Sequence, residues 1–139
     1  MDTKTDTKSS LEAAARIALR CLDLTSLNDA DDEAVVARLC ARAVGAHGRV
    51  AAVCVWPRLA AFARHRLPPH VAVAAVANFP GGGTDIDAAL GEVRQIVAAG
   101  AQEVDVVLPW RALRDGDTAS ADTLLRAVRK ASAGLRLKV

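Results

Sequence analysis

Two ionisable residues lie in apolar, strand-like segments where a charge is unusual. Asp105 is flanked by valines, and Lys138 lies between Leu137 and Val139. A buried charge without a partner is unstable, so each residue needs a partner or a shifted pKa. Neighbouring parallel strands would bring the carboxylate and the ammonium together. The pair is then either a proton-transfer couple or a structural ion pair, and the spacing leaves both open.

Three further residues could contribute to a site at the ends of strands. Asp23 and Thr25 end the first apolar segment, and ligands of α/β proteins gather at the carboxyl ends of strands. The alternative for Asp23 is a loop cap, which is a common role of Asp. Cys54 is a possible nucleophile, but no His lies near it in sequence, and buried cysteines are usually inert. The three histidines fall in predicted loops or helix ends, where solvated side chains are expected.

The glycine run Gly81–Gly83 stands before a predicted helix and invites comparison with a phosphate-binding loop. No Lys-Ser/Thr pair follows it, and Asp85 and Asp87 occupy the first helical turn, where they would repel an anion. We therefore interpret the run as a flexible strand-to-helix loop, with Thr84 as the helix cap.

Apolar segments alternate with amphipathic segments along most of the chain. Residues 1–10 are polar and are predicted to be a disordered tail, and Ser9 and Glu12 form a capping box for a first helix. From residue 11 onward the strands are apolar on both faces, which is typical of a parallel sheet covered by helices. The class is therefore α/β in a single domain, but the pattern alone does not separate an open sheet from part of a barrel.

Composition excludes several classes of function. The 139 residues are 52% hydrophobic and 3% aromatic, with a formal charge of +2. The scattered charges and rare aromatics argue against a nucleic-acid surface. Three cysteines without CxxC spacing predict no disulfide framework and no zinc site. The polar N-terminus and the short apolar runs predict no signal peptide and no membrane span, so we expect a soluble cytoplasmic protein.

Five segments together resemble the deoxyribose-phosphate aldolase family. They occur in the family's order and spacing. They are CLDLTSLN (21–28), VCVWPR (53–58), ANFPGG (77–82), EVDVV with RAL (103–107 and 111–113), and LKV (137–139).

The resemblance implies a parallel (β/α)8 barrel of TIM type, with residues 11–139 as its N-terminal part and about five of the eight strands present. It implies a class I aldolase that cleaves 2-deoxy-D-ribose 5-phosphate reversibly to D-glyceraldehyde 3-phosphate and acetaldehyde. It also implies that the reaction runs through a lysine Schiff base, without metal or cofactor. By position, Asp105 would act in proton transfer beside Lys138, while Asp23, Thr25 and Cys54 would line the substrate pocket.

The sequence departs from the family in one respect. The Schiff-base lysine of such enzymes lies on the sixth strand, and this sequence stops at the fifth, so the expected lysine is missing. An alternative is a catalytically inactive half-barrel that acts as a folding or assembly module. Partners would be small phosphorylated sugars and aldehydes. Open barrel edges also predict self-association, or a homodimer of the full-length enzyme. A flavodoxin-like domain is disfavoured because the loop after the first strand has no glycine.

Overall fold

The computed structural model describes residues 3–139, with side chains from residue 10 onward. Helices and strands alternate along the chain. In chain order the elements are α1 (Thr3–Arg20), β1 (Asp23–Thr25), α2 (Glu33–Ala41), β2 (Val44–Gly45), β3 (Gly48–Arg49), β4 (Ala52–Val55), α3 (Pro57–Arg66), β5 (Ala72–Ala77), α4 (Ile86–Ala98), β6 (Glu103–Val106), α5 (Trp110–Arg114), α6 (Thr118–Ala131) and β7 (Arg136–Lys138). None of the helices in this described part combines the length and apolar character needed to cross a bilayer.

Five of the strands form one sheet in the order β1-β4-β5-β6-β7, and every neighbouring pair is parallel. Strands that follow one another in this series therefore lie side by side, with helices in the connections. The predicted α/β class with a parallel sheet is confirmed. The pattern did not predict the antiparallel pair β2 and β3, because two-residue strands are too short to show an alternation.

The two faces of the sheet have different linings because successive side chains of a strand point in opposite directions. We call one the helix-covered face; its fully buried strand residues are Val53, Val55, Val73, Ala75, Ala77 and Val104. We call the other the inner face; its buried apolar residues are Ala52, Cys54, Ala74 and Val76. The large aliphatic side chains of α2, α3, α4 and α6 pack on the helix-covered face, which holds most of the core.

The helices that follow the strands begin at residues suited to that position. The carboxylates of Asp32, Asp85 and Asp117 cap α2, α4 and α6 by accepting a backbone N–H of the first turn. Pro57 occupies the first turn of α3, where its missing N–H is not needed. The cap of α4 is thus Asp85 and not Thr84, since the carboxylate is the stronger acceptor for the Ala88 N–H.

The first helix starts earlier than the sequence pattern predicted. α1 begins at Thr3 rather than at the capping box around Ser9, so residues 3–10, which we expected to be a disordered tail, are helical. No Gly or Pro occurs between residues 3 and 20, so no residue stops the helix from extending toward the N-terminus. Residues 1 and 2 lie outside the described residues.

Candidate active site

Charged side chains gather on the inner face around the ammonium of Lys138. Its Nζ lies 3.0 Å from Glu103 Oε2 and 3.1 Å from Asp105 Oδ2, and it also donates to Asp23 Oδ2. Arg136 joins the group through a 2.9 Å contact from its Nη1 to Glu103 Oε1. We call these five residues the charged cluster. The pairing of Asp105 with Lys138 that the sequence suggested is observed.

Strand register explains how four members of the cluster meet. Glu103 faces Arg136 and Asp105 faces Lys138 across the parallel pair β6 and β7. Glu103 lies two residues before Asp105, and Arg136 lies two residues before Lys138, so each strand presents both of its residues on one face. The inner face of these two strands is therefore ionic.

The contact between Lys138 and Asp23 joins the two edges of the sheet. Asp23 lies on β1 and Lys138 on β7, and three strands separate them in the sheet order. The sheet must therefore curl, with its inner face concave. Small residues of the intervening strands, such as Ala52 and Ala74, leave room for the two side chains to meet above them. This arc is the geometry of part of a barrel wall.

Cys54 lies beside the cluster, and its thiol is held protonated. Its Sγ lies 3.7 Å from Asp105 Oδ2, and the residue is almost fully buried. Burial, with the negative charge of Asp105 second, raises the pKa of Cys54 to about 12. Because the thiolate is the reactive form of cysteine, the geometry favours a packing role over a nucleophile.

Thr25 is on the same strand as Asp23 but does not join the charged cluster. It is exposed, its register partner is Cys54, and its hydroxyl donates to the Asp23 carbonyl oxygen at 3.2 Å. The structure thus brings Asp23, Cys54, Asp105 and Lys138 together and places Thr25 beside them on the exposed part of β1.

The two central groups of the cluster have shifted pKa values. Burial raises the pKa of Asp105, and the charges of Asp23 and Glu103 act in the same direction, while Lys138 opposes them. Burial alone would lower the pKa of Lys138, but its hydrogen bonds to Asp23, Glu103 and Asp105 together raise it well above its ordinary value. Lys138 is therefore a stable ammonium, and Asp105 is a carboxylate that takes up a proton more readily than usual.

One oxygen of Asp105 has no partner. Oδ1 is buried and accepts no hydrogen bond, whereas Oδ2 accepts from both Lys138 and Cys54. A buried carboxylate oxygen without a donor is unfavourable, and such atoms are a reason to look for a ligand or a catalytic role. The arrangement suits Asp105 to accept a proton or a hydroxyl hydrogen bond from a bound molecule.

Apolar side chains stand beyond the cluster, where β4 and β5 end. Trp56 and Phe79 meet edge to face with ring centroids 5.5 Å apart, and both pack on the inner-face apolar residues together with Leu27. The Trp56 indole donates to the Asn28 carbonyl oxygen at 3.0 Å, which fixes the ring. This wall borders the carboxyl ends of the strands, where ligands bind in such folds.

Asn78 fixes the loop between β5 and α4. It adopts a left-handed conformation with φ of 57°, and its side-chain amide donates to Gly83 O and Val107 O at 2.9 Å each. Glu92 accepts the Asn78 backbone N–H. Gly82 is required nearby, because a Cβ there would lie 2.5 Å from the Leu108 carbonyl oxygen. The run Gly81–Gly83 does connect β5 to α4, as predicted, but the expectation that this loop is flexible is wrong, because the Asn78 side chain and backbone anchor it tightly.

Sequence reasoning missed two members of the cluster, Glu103 and Arg136. The signal was present, because a residue two positions before Asp105 or Lys138 must share its strand face.

Among the described residues, no group of His, Cys, Asp and Glu is arranged to hold a metal ion. The ammonium of Lys138 lies between the carboxylates of the cluster.

Comparisons with known proteins agree with this geometry. A sequence model of the DeoC/LacD family of aldolases matches residues 17–139. A provisionally assigned deoxyribose-phosphate aldolase from Coccidioides immitis has a TM-score of 0.77 at 24% identity; the match covers 99% of this chain and 61% of that one. Another from Toxoplasma gondii ME49 has a TM-score of 0.80 at 25% identity, covering 93% and 50%.

A more distant likeness is the deoxyribose phosphate aldolase from Aeropyrum pernix, whose structure is described as a unique tetramer. Its TM-score is 0.65 at 19% identity, and the match covers 91% of this chain and 56% of that one. The chain thus spans between 50% and 61% of the length of these three solved structures. The likenesses and the curled parallel sheet confirm the predicted fold class, a parallel (β/α) barrel with about five strands present.

Proposed function

Because the chain belongs to the DeoC/LacD family of aldolases, we propose that it takes part in the reversible cleavage of 2-deoxy-D-ribose 5-phosphate to D-glyceraldehyde 3-phosphate and acetaldehyde. The observation that carries the proposal is the charged cluster with the unpartnered Asp105 Oδ1. An aldol cleavage needs an acid/base group that can both accept and return a proton. A carboxyl group with a raised pKa meets that need.

In the cleavage direction, the hydroxyl on C3 of the sugar loses its proton as the C2–C3 bond breaks. The bonding electrons move into the iminium formed at C1, which acts as the electron sink. The resulting enamine carbon C2 then takes a proton, and hydrolysis releases acetaldehyde. Asp105 Oδ1 is the base for the hydroxyl in this scheme, directly or through a water molecule. Asp23 and Thr25 are the proposed contacts to substrate hydroxyls.

Lys138 is proposed as the cationic partner of Asp105 and not as the Schiff-base residue. Only a neutral amine attacks a carbonyl, and hydrogen bonds to three carboxylates keep Lys138 protonated. Of the two lysines whose side chains the structure describes, the other is Lys130, which is exposed on α6. We therefore propose that the Schiff base forms on a lysine other than these two.

Borohydride trapping tests this assignment. The chain is incubated with acetaldehyde and reduced, and modified lysines are mapped by mass spectrometry, beside a full-length aldolase of the family as a positive control. We expect a stoichiometric adduct in the control and none on Lys138. A stoichiometric adduct on Lys138 would show that its amine is activated and that the assigned role is wrong.

Binding of the sugar phosphate tests the pocket separately from the Schiff base. Titration of the labelled chain with 2-deoxyribose 5-phosphate should shift the NMR signals of Asp23 and Asp105, and D105N should weaken the binding. The matched control is D122N, because Asp122 forms only an exposed pair with Arg126 on α6. If neither carboxyl signal moves at millimolar ligand, the pocket assignment is wrong.

An assembly role is the second candidate, and the sheet edges favour it. β1 and β7 are the two edge strands of the five-stranded sheet, and an open edge offers backbone groups to another chain. Beside β7 lies a shallow groove with apolar and basic lining: Leu125, Arg126, Arg129, Lys130 and Leu137. We propose that these edges mediate self-association, and a sharp monomer boundary in sedimentation velocity at high protein concentration would exclude it.

A further inference from the structure

Glu103 is the most deeply buried charged residue of the cluster. Its side chain is 6% exposed, against 25% for Asp105 and 27% for Asp23. Burying a carboxylate is unfavourable by several kcal/mol unless it is paired, and a buried pair contributes little net stability. A role in stability alone therefore does not explain why a carboxylate stands here, beside Ala74 in the sheet register.

The two oxygens of Glu103 bind two different cations. Oε1 lies 2.9 Å from Arg136 Nη1, and Oε2 lies 3.0 Å from Lys138 Nζ. Arg136 and Lys138 are two residues apart on the same edge strand, so one carboxylate spans both. Because Glu103 is on the neighbouring strand and is enclosed, it has little freedom to follow a moving side chain.

We propose that Glu103 is a positioning residue of the site: by accepting from Arg136 with one oxygen and from Lys138 with the other, it fixes where the Lys138 ammonium stands between Asp23 and Asp105. The inference rests on the proposed function, since it takes this cluster as the reacting centre. Without Glu103, Lys138 would have Asp23 and Asp105 as its remaining carboxylate partners.

The charge balance gives Glu103 a second effect on the same site. The cluster contains three carboxylates and two cations, so one negative charge is in excess when all five groups are ionised. Protonation of Asp105 removes that excess. The titratable groups that act on Asp105 are Asp23 from β1, Cys54 from β4, Glu103 from its own strand and Lys138 from β7. Arg136, also on β7, pairs with Glu103. The neighbouring strand β5 contributes apolar Ala74 and Val76.

The test is the E103Q variant of the 139-residue chain, which keeps the size of the side chain and removes its charge. The pH titration midpoints of Asp105 and Lys138 (hereafter midpoints) are followed by NMR of the side-chain carboxyl and amine groups. We expect both titration midpoints to fall, that of Asp105 by on the order of one pH unit, because the substitution removes a like charge near Asp105 and the negative charge that stabilises the Lys138 ammonium. D122N should leave both midpoints unchanged.

R136Q is the second variant, since the side chain of Arg136 is largely exposed and its loss should not prevent folding. It should move the Asp105 midpoint upward, opposite to E103Q, because Glu103 then has one cation fewer. A folded E103Q with an unchanged Asp105 midpoint would overturn the inference, and if E103Q does not fold, an unchanged midpoint in R136Q would do so.

The titrations need no catalytic turnover, so they can reject the role of Glu103 independently of the aldolase proposal. Opposite shifts in the two variants, together with no binding of the sugar phosphate, would support the positioning role and reject the proposed reaction. Binding without any shift in the variants would support the reaction site and reject the role of Glu103.

Discussion

The two faces of strand β6 carry opposite kinds of side chain at adjacent positions. Val104 is fully buried on the helix-covered face, among the aliphatic side chains of the helices. Asp105, the next residue, lies on the inner face within a cluster of five ionisable side chains. The backbone is common to both, so the difference arises only from the direction in which each side chain points.

This difference separates stability from chemistry within one sheet. The helix-covered face buries large aliphatic groups and supplies most of the hydrophobic free energy of folding. The inner face buries small groups and charges, which add little to stability but can be arranged for proton transfer. A sheet of this kind can keep unfavourable charges on one face because the other face holds the fold together.

The largest expected effect is on the helix-covered face. V104D would place a carboxylate within the aliphatic core of the helix-covered face. We therefore expect the free energy of unfolding to fall by about 4 kcal/mol or more, or folding to fail. Urea unfolding followed by circular dichroism measures it. V104A is the control, because it removes side-chain volume without introducing a charge. Its free energy of unfolding should fall by much less than that of V104D. Equal losses in the two variants would contradict the contrast between the faces.

Larger side chains on either face of β5 should have a smaller effect on the free energy of unfolding. Ala74 is buried on the inner face, between Cys54 and Glu103 in register, whereas Ala75 is buried on the helix-covered face. A74L and A75L should each lower the free energy of unfolding by about 1–3 kcal/mol through overpacking. Only A74L should also change the Asp105 midpoint, because only it intrudes on the space of the charged cluster. The same change in A75L would show that the faces are not independent.

The smallest effect on stability at neutral pH is expected from D105N. The substitution removes a partly buried charge whose Oδ1 has no donor, so the free energy of unfolding should change by less than about 1 kcal/mol at pH 7. Lys138 keeps Asp23 and Glu103 as partners.

The pH dependence of that difference has a defined sign. The folded-state pKa of Asp105 is raised above its ordinary value of 3.8. Its contribution to stability is therefore complete below that value and is lost as the pH rises through the folded pKa. Relative to D105N, the natural chain should lose stability from pH 4 upward until Asp105 is ionised. The free energies of unfolding of both proteins across that pH range measure this loss. If the natural chain instead gains stability relative to D105N as the pH rises, the raised pKa of Asp105 is wrong.

Strand alternation and order were predictable from the sequence, whereas the curl of the sheet was not. The apolar segments predicted the parallel strands. The pairing of Asp105 with Lys138 was predicted because the two residues lie on strands expected to be neighbours. The contact from Lys138 to Asp23 depends on curvature accumulated over three intervening strands, which no local pattern carries. Glu103 was overlooked because a charged residue at the start of a strand is usually solvated. Its spacing from Asp105 indicated its face of the sheet, but its burial follows from packing in the folded chain.

The reactivity of the buried thiols tests the inner face without reference to stability. With a pKa of about 12, Cys54 has about one thiolate in ten thousand at pH 8, so it should react with iodoacetamide far more slowly than exposed Cys21. D105N removes the nearest negative charge and should speed the labelling of Cys54 several-fold.

Buried Cys40, which packs against the helix-covered face near Arg64 and Arg66, should be unaffected. Peptide mapping of natively labelled protein separates the three sites. Equal acceleration at Cys40 and Cys54 would mean that D105N loosens the whole fold, whereas acceleration at Cys54 alone would show that the charge of Asp105 acts only on its own face of the sheet.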